Sequence, residues 1–139
     1  MDLRESGARA DHERETVSAL GMKYVNVPMT GLTPPTESQI NQIFGLLEDQ
    51  ASGPVFVHCK RGADRTGAVI GAYRVDYDRW ANAEALKEAK ADGIAFLQLP
   101  RKNYIMTFQP RPAVATVKPA TNPAITAAPA VVLPAATAQ

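Results

Sequence analysis

The sequence carries at positions 58–67 the run His58-Cys59-Lys60-Arg61-Gly62-Ala63-Asp64-Arg65-Thr66-Gly67. The apolar run 55–57 before it is typical of a central strand buried on both faces, and a helical pattern follows over 67–77. A loop between such a strand and a helix turns backbone N–H groups inward, beside the positive end of the helix dipole. Positions 58–67 therefore predict a binding site for a tetrahedral dianion at the carboxyl edge of a sheet.

The chemistry of this loop depends on Cys59 and Arg65. The amides that hold an anion also stabilise a thiolate and lower the pKa of a cysteine, and a thiolate below a bound phosphorus is a nucleophile. The Arg65 guanidinium is suited to bind two phosphoryl oxygens, and Gly62 allows the loop to curl. We expect phosphoryl transfer to sulfur and then hydrolysis of the phosphocysteine. Because the amides and Arg65 stabilise the transferred charge, this chemistry requires neither a metal nor a cofactor.

Strand and helix patterns alternate along the rest of the folded region. A strand is predicted at 23–28, and helices are predicted at 11–20, after Thr36, at 82–91 and at 100–108. Thr36 and Gln39 form a capping box, and the apolar residues that follow share one stripe of a helix. Asn82 is expected to be the N-cap of the 82–91 helix. This order of elements predicts a parallel or mixed sheet with helices packed against it.

The C-terminal part of the chain has a different composition. Six of the eleven prolines lie at or after position 110, and the remaining residues there are mainly Ala, Thr and Val. Spaced prolines remove helix and ladder donors, and small side chains bury too little area to offset the entropy of ordering. We therefore predict a folded catalytic domain over 1–109 and a disordered, Pro/Ala-rich tail over 110–139.

Composition excludes several classes of protein. With 15 Lys and Arg residues against 14 Asp and Glu residues, no bulk attraction to nucleic acid or to an anionic membrane is expected. The single cysteine excludes an internal disulfide and a cysteine-based metal site. No apolar run reaches the roughly 18 residues of a membrane span, and the polar residues 1–16 do not form a signal peptide. We expect a cytoplasmic protein.

The run at 58–67 resembles the phosphate-binding loop of the cysteine-dependent protein tyrosine phosphatase superfamily, above all its compact dual-specificity branch and bacterial relatives. The resemblance extends more weakly over about residues 2–108, through Asp2-Leu3-Arg4, the 24–28 strand and the helix that opens with Thr36. It implies a short, mostly parallel central sheet flanked by helices. Members of this family carry an earlier strand and helix, which the present sequence is expected to lack.

The resemblance also implies roles for the residues of the loop. Cys59 would be the nucleophile, Arg65 the phosphate clamp, and Thr66 the hydrogen-bond donor that helps the sulfur to leave. His58 would orient the loop and help to hold the thiolate state. Lys60, Arg61, Gly62 and Ala63 complete the predicted substrate-binding loop.

The general acid of the family, an aspartate on the loop after the 24–28 strand, has no counterpart at 29–36. Asp64 is the better candidate, because a bound dianion beside it would raise its pKa and a protonated carboxyl group could protonate the leaving oxygen. The alternative is that Asp64 braces the loop by accepting hydrogen bonds. Glu37, in the first turn of its helix, is the other nearby carboxylate, and its charge already suits that position.

The substrate is not determined by this pattern. A phosphorylated protein, carrying phosphotyrosine or also phosphoserine and phosphothreonine, is one expectation. Lys60 and Arg61 would widen the positive rim and favour phosphoinositides, inositol phosphates or acidic phosphopeptides, unless their side chains only point to solvent. The alternatives to a hydrolase are a phosphate-binding module without turnover and a sulfurtransferase of the rhodanese kind, which the five-residue spacing between Cys59 and Arg65 disfavours.

Overall fold

The computed structural model describes residues 1–112, and the predicted tail therefore lies, from residue 113 onward, outside the described residues. The elements are α1 (Ala8–Ala19), α2 (Glu37–Glu48), a 3-10 turn (Gln50–Ser52), α3 (Asp64–Asp76), α4 (Asn82–Ala91) and α5 (Leu99–Thr107). All five predicted helices are present, each shifted by at most a few residues. No helix within residues 1–112 has the length and apolar character needed to cross a bilayer.

The predicted central sheet is not confirmed, because the residues described form no continuous strand. Three extended segments meet instead through two isolated parallel bridges, from Asp2 to Asn26 and from Asp2 to His58. The backbone N–H of Leu3 donates to the His58 carbonyl at 2.8 Å. The Arg4 amide donates to the Asp2 side chain at 2.8 Å, so the middle segment turns away after Leu3. Pairing is thus limited to single bridges on either side of Asp2.

The expectation that the 55–57 segment is buried on both faces is wrong for Phe56, which is 77% exposed. Its ring stacks on His58, with 5.3 Å between the centroids, so the two side chains lie on the same face. Helix α1 approaches this face, but its sequence is polar and only Ala10 is buried. A polar helix supplies little apolar area to cover an aromatic ring.

Helix α2 begins as its sequence predicts. The Gln39 amide donates to the Thr36 hydroxyl oxygen at 3.2 Å, and the Thr36 amide donates to the Gln39 side-chain oxygen at 2.8 Å. This reciprocal pair is the predicted capping box. The apolar stripe of the helix then packs into the main core through Ile40, Ile43 and Phe44.

Small residues allow α3 to pack closely against α4 and α5. Gly71 of α3 lies against Ile105 of α5, and the second core cluster joins Ala85 and Ala89 of α4 to Ile105. The N-cap of α4 is Ala81, not Asn82 as expected. The side-chain amide of Asn82 donates instead to the carbonyls of Ile105 and Phe108, at 2.8 and 2.9 Å, and so supplies donors to carbonyls at the C-terminal end of α5.

Candidate active site

The loop that follows the 55–57 segment leads directly into α3, which begins at Asp64. Gly62 has a φ of 75°, in the left-handed region that side chains with a Cβ rarely adopt. The Cys59 side chain lies at the inner end of the loop, and the residue is only 8% exposed. The loop therefore curls around the cysteine as its sequence predicts.

The Cys59 sulfur is surrounded by hydrogen-bond donors. Burial raises the pKa of Cys59, but the neighbouring donors, namely the Thr66 hydroxyl and the amides of Thr66, Arg61 and Gly62, lower it to about 7. The Thr66 hydroxyl is itself buried and has no hydrogen-bond partner of good geometry within residues 1–112. These donors favour the ionised sulfur, and the same donors suit the oxygens of a bound phosphate.

Arg65 lies on the first turn of α3, where the predicted phosphate clamp would be. Its Nη2 donates to Oε1 of Glu5 at 3.5 Å. This hydrogen bond is long, and the carboxylate that accepts it is mostly exposed. Its Nε is buried and has no partner within the part of the chain that the structure describes. An unpaired buried donor of this kind is costly, and a phosphoryl oxygen would satisfy it.

His58 lies just before Cys59, and both its backbone and its side chain contact other segments. Its backbone joins the Met1–Leu3 segment, and its Nε2 lies 2.7 Å from Oε1 of Glu13 on α1. Glu13 also pairs with Arg4. The role of His58 in orienting the loop stays a prediction; its contact with Glu13 links the residue to α1.

Asp64 accepts hydrogen bonds through both carboxylate oxygens. Arg61 Nη2 donates to Oδ2 at 2.8 Å, and the Ala95 amide donates to Oδ1 at 2.8 Å. This geometry matches the bracing role. The role of general acid stays a prediction, since it requires one of these oxygens to release its donor. Glu37 lines a separate cavity with Ile40 and Tyr104, which no loop residue lines.

The two rim cations of the loop are in different situations. The Arg61 guanidinium pairs with Asp64, so its charge is largely neutralised within the loop. Lys60 is exposed, lines a cavity beside the loop, and has no carboxylate partner within residues 1–112. Lys60 and Arg61, for which the sequence predicts the same role, therefore differ in the structure, because only Arg61 is paired with a carboxylate.

Sequence reasoning missed Arg101, a buried cation beneath the site. Its Nη2 donates to the Gly31 carbonyl at 2.8 Å and its Nη1 to the Gln98 side chain at 2.6 Å. Burial lowers the pKa of Arg101, as does the nearby Arg65, while the charges of Asp64 and Cys59 act in the opposite direction. Arg101 thus ties the 29–36 loop to α5. No sequence pattern marks it, because an arginine in an amphipathic helix is usually solvated.

Three groups that are able to ligate a metal lie together at the edge of this region, namely Asp2, Glu13 and His58. The Asp2 carboxylate already accepts hydrogen bonds from the Arg4 guanidinium and the Tyr24 hydroxyl. Burial raises the pKa of Asp2, but these donors outweigh it and lower the pKa to about 2. An arginine in this position repels a further cation, so the cluster is an ion-pair network.

The loop has a buried cysteine with a lowered pKa, main-chain donors near the sulfur and an arginine at the start of the next helix. These features agree with the phosphate-binding loop of the cysteine-dependent phosphatase class. Comparison with family models agrees with this class. The model described as DSP-PTPase phosphatase fused to NAD+ kinase matches residues 1–105. The chain belongs to this family, a dual-specificity-like branch of the cysteine-dependent protein tyrosine phosphatase superfamily.

Several curated relatives carry phosphatase names. The chain is 25% identical over 97 residues to inositol diphosphatase DSP2 of Arabidopsis thaliana, covering 70% of this chain and 36% of the relative. It is 31% identical over 87 residues to inositol diphosphatase DSP1 of Oryza sativa subsp. japonica, covering 55% and 34%. It is 26% identical over 83 residues to dual specificity protein phosphatase TpbA of Pseudomonas aeruginosa, covering 60% and 38%. The chain thus spans about a third of the length of these relatives.

Proposed function

We propose that this protein is a metal-independent phosphomonoester hydrolase that acts through a phosphocysteine intermediate. The observation that carries the proposal is the environment of the Cys59 sulfur, which the amides of Arg61, Gly62 and Thr66 and the Thr66 hydroxyl surround. With a pKa of about 7, a large share of the cysteine is thiolate at neutral pH. A thiolate within a phosphate-binding loop is placed for attack on phosphorus.

In the first step, the Cys59 thiolate attacks the phosphorus of the ester. The S–P bond forms as the P–O bond to the leaving group breaks, and the leaving oxygen takes up a proton. Asp64, once released from Arg61 or Ala95, is the proposed donor of that proton. The Arg65 guanidinium and the loop amides stabilise the charge on the three equatorial oxygens.

In the second step, a water molecule attacks the phosphorus of the phosphocysteine. The P–O bond to water forms as the S–P bond breaks. The carboxylate of Asp64 takes up one proton of the water and is protonated again. The Thr66 hydroxyl donates to the departing sulfur and stabilises the thiolate. The products are inorganic phosphate and the enzyme in its initial state.

The substrate belongs to one of two classes. A phosphorylated protein would present a phosphotyrosine, or also a phosphoserine or phosphothreonine, to the loop. A polyphosphorylated small molecule, such as an inositol phosphate, would in addition engage cations beside the loop. The names of the relatives include both a dual-specificity protein phosphatase and inositol diphosphatases.

Hydrolysis of p-nitrophenyl phosphate by the wild type and by two variants tests this function. We expect Cys59→Ser to have no turnover but an unchanged melting temperature, because serine is nearly isosteric with cysteine. The wild-type rate should rise through about pH 7 as the thiolate forms. We expect Asp64→Asn to lose the basic limb of the rate profile and to be about 10²–10⁴-fold slower.

Two outcomes would contradict the proposal. Turnover by Cys59→Ser would remove the cysteine from the mechanism. Tight binding of vanadate by the wild type without hydrolysis would identify a phosphate-binding module instead, an alternative that the full engagement of Asp64 by Arg61 and Ala95 favours. An unchanged rate profile of Asp64→Asn would show only that the proton donor lies elsewhere.

A further inference from the structure

A second cavity opens beside the phosphate-binding loop, on the side of α1. It has a volume of about 700 Å³ and is lined by residues 4–9 together with Lys60 and Arg65. Cys59, Gly62 and Thr66 do not line it. The cavity is therefore a neighbour of the phosphate cradle, and the Arg65 side chain borders both.

The cavity is rich in cations, but not all of them are free. Arg4 pairs with Asp2 and Glu13, so its charge is compensated. Glu5, the one acidic residue in the lining, faces Arg65. Arg9 and Lys60 are exposed and have no carboxylate partner within residues 1–112. In a chain whose formal net charge is only +1, two unpaired cations in one cavity create a local positive potential that attracts anions.

The first turn of α1 adds to this potential. The helix begins at Ala8, and its N-cap, Gly7, provides no side-chain cap. Ser6, Gly7 and Ala8 all line the cavity, so the positive end of the helix dipole lies at its wall. Backbone N–H groups that no side chain caps are suited to accept an anionic oxygen as a partner.

We propose that this cavity, here called the second phosphate subsite, binds a further phosphate of the same substrate through Arg9, Lys60 and the first turn of α1. The proposal rests on the hydrolase function of Cys59 and names its substrate class. Because Arg65 borders both the loop and the subsite, the two phosphates must lie on neighbouring positions. The substrate is therefore a compact small molecule with neighbouring phosphates, such as a polyol, and not a protein with a single phosphorylated residue.

Inhibition of p-nitrophenyl phosphate hydrolysis by inositol hexakisphosphate tests the subsite. The aryl phosphate has one phosphate and fills only the loop, whereas the inhibitor has phosphates on neighbouring carbons. We expect Arg9→Glu and Lys60→Glu each to weaken inhibition by about 10-fold or more, since charge-assisted hydrogen bonds contribute roughly 1.5–3 kcal/mol. For Arg9→Glu, which lies outside the loop, the loss in kcat/KM for the aryl phosphate should be much smaller. Lys87→Glu, on the exposed side of α4, makes the same change in net charge and should alter neither value.

Calorimetric titration of inositol hexakisphosphate into Cys59→Ser protein gives a second readout that needs no turnover. The same variants in that background should lose affinity by the same factor. Equal inhibition constants for Arg9→Glu and the wild type would overturn the subsite while leaving the hydrolase intact. Binding that depends on Arg9, but without hydrolysis of the aryl phosphate, would overturn the hydrolase and leave the subsite.

Hydrolysis of a singly phosphorylated acidic peptide distinguishes a second phosphate subsite from a surface that binds acidic side chains of a peptide. We expect Arg9→Glu to change kcat/KM for this peptide no more than it changes the value for the aryl phosphate. An equal or larger loss for the peptide than for inositol hexakisphosphate would mean that Arg9 and Lys60 bind acidic side chains. That result would contradict the proposed substrate class.

Discussion

Thr66 and Cys59 form the most specific pair of side chains in the loop. The Thr66 hydroxyl is buried, has no hydrogen-bond partner of good geometry in the region described, and lies close enough to the sulfur to lower the pKa of Cys59. The hydroxyl therefore stabilises the thiolate twice in the proposed reaction, before attack on phosphorus and when the sulfur leaves. Removing the hydroxyl should change the pKa of Cys59 more than it changes the stability of the fold.

Replacement of Thr66 by valine tests this dependence. The shape of the side chain is kept and one hydrogen bond to the thiolate is lost, worth about 1.5–3 kcal/mol for a charged acceptor. We expect the pKa of Cys59 to rise by about 1–2 units from its value near 7. The measurement is the rate of alkylation by iodoacetamide against pH. A pKa that does not move would mean that the backbone amides alone hold the thiolate.

The sequence predicted those residues of the site that are contiguous in the chain. Cys59, Gly62 and Arg65 lie close together in the chain, in the loop and the first turn of α3, and their spacing alone predicts the proposed chemistry. Glu5 lies 60 positions from Arg65, and the buried Arg101 has partners on a different loop. Such contacts depend on how the segments pack, and no local pattern in the sequence reports them.

At the level of helices and strands, local signals predicted the helices better than the sheet. The capping box at Thr36 and the apolar stripe of α2 are local patterns, and the structure confirms both. The sheet depends on partners distant in the chain, and Asp2 supplies only one bridge to each neighbour. The number of paired residues therefore could not be derived from the β-propensity of 23–28 and 55–57.

The packing of α3 on α5 can be tested at Gly71 of α3, with Gly45 of α2 as the matched control. A Cβ at Gly71 would lie 3.0 Å from the side chain of Ile105, which is fully buried, whereas a Cβ at Gly45 would have no atom within 4 Å. We expect Gly71→Ala to destabilise the fold by about 1–2 kcal/mol, since overpacking outweighs helix propensity. Gly45→Ala should stabilise it by about 0.5–1 kcal/mol.

Urea unfolding of the two variants measures this difference. Both substitutions add one methyl group to a helix, so the effect of helix propensity is shared and the contrast reports packing. Equal stabilisation by the two alanines would show that α5 moves away from α3 without cost.

At the level of the whole molecule, Arg111 connects the end of the described chain to the core. Its amide and Nε donate to the Asp76 carboxylate at 2.6 and 2.8 Å, and its Nη2 pairs with Glu48. The Asp76 side chain is only 4% exposed. Burial raises the pKa of Asp76, but the hydrogen bonds and charge of Arg111 outweigh it, so the pKa lies below its usual range.

Replacement of Arg111 by alanine should destabilise the fold by about 2 kcal/mol at neutral pH, because it leaves a buried carboxylate without its cation. Because the pKa of Asp76 is lowered by folding, its carboxylate stabilises the folded state at pH values above about 4, the pKa of an aspartate in the unfolded chain. That stabilisation is lost as the pH falls through the pKa of Asp76 in the folded protein. The difference in the free energy of unfolding between wild type and Arg111→Ala should therefore shrink in acid.

The control is Arg14→Ala, which removes an exposed ion pair with Asp11. It should change stability by no more than about 1 kcal/mol at neutral pH. A pH-independent difference between wild type and Arg111→Ala would show that Arg111 acts by packing against Phe44, whose ring centroid lies 4.9 Å from the guanidinium carbon, and not through Asp76.

The hydrogen bond from the Ala95 amide to Asp64 joins the turn after α4 to the residue at which the phosphate-binding loop becomes helix. The next two residues of that turn, Phe96 and Leu97, are largely exposed apolar side chains. A ligand that bound these two side chains and moved the turn outward would remove the Ala95 donor from Asp64 and loosen the start of α3 beside the loop that carries Cys59. Such a ligand would lower the proposed reactivity of Cys59 without binding in the phosphate-binding loop. It would therefore not need the negative charge of a phosphate mimic.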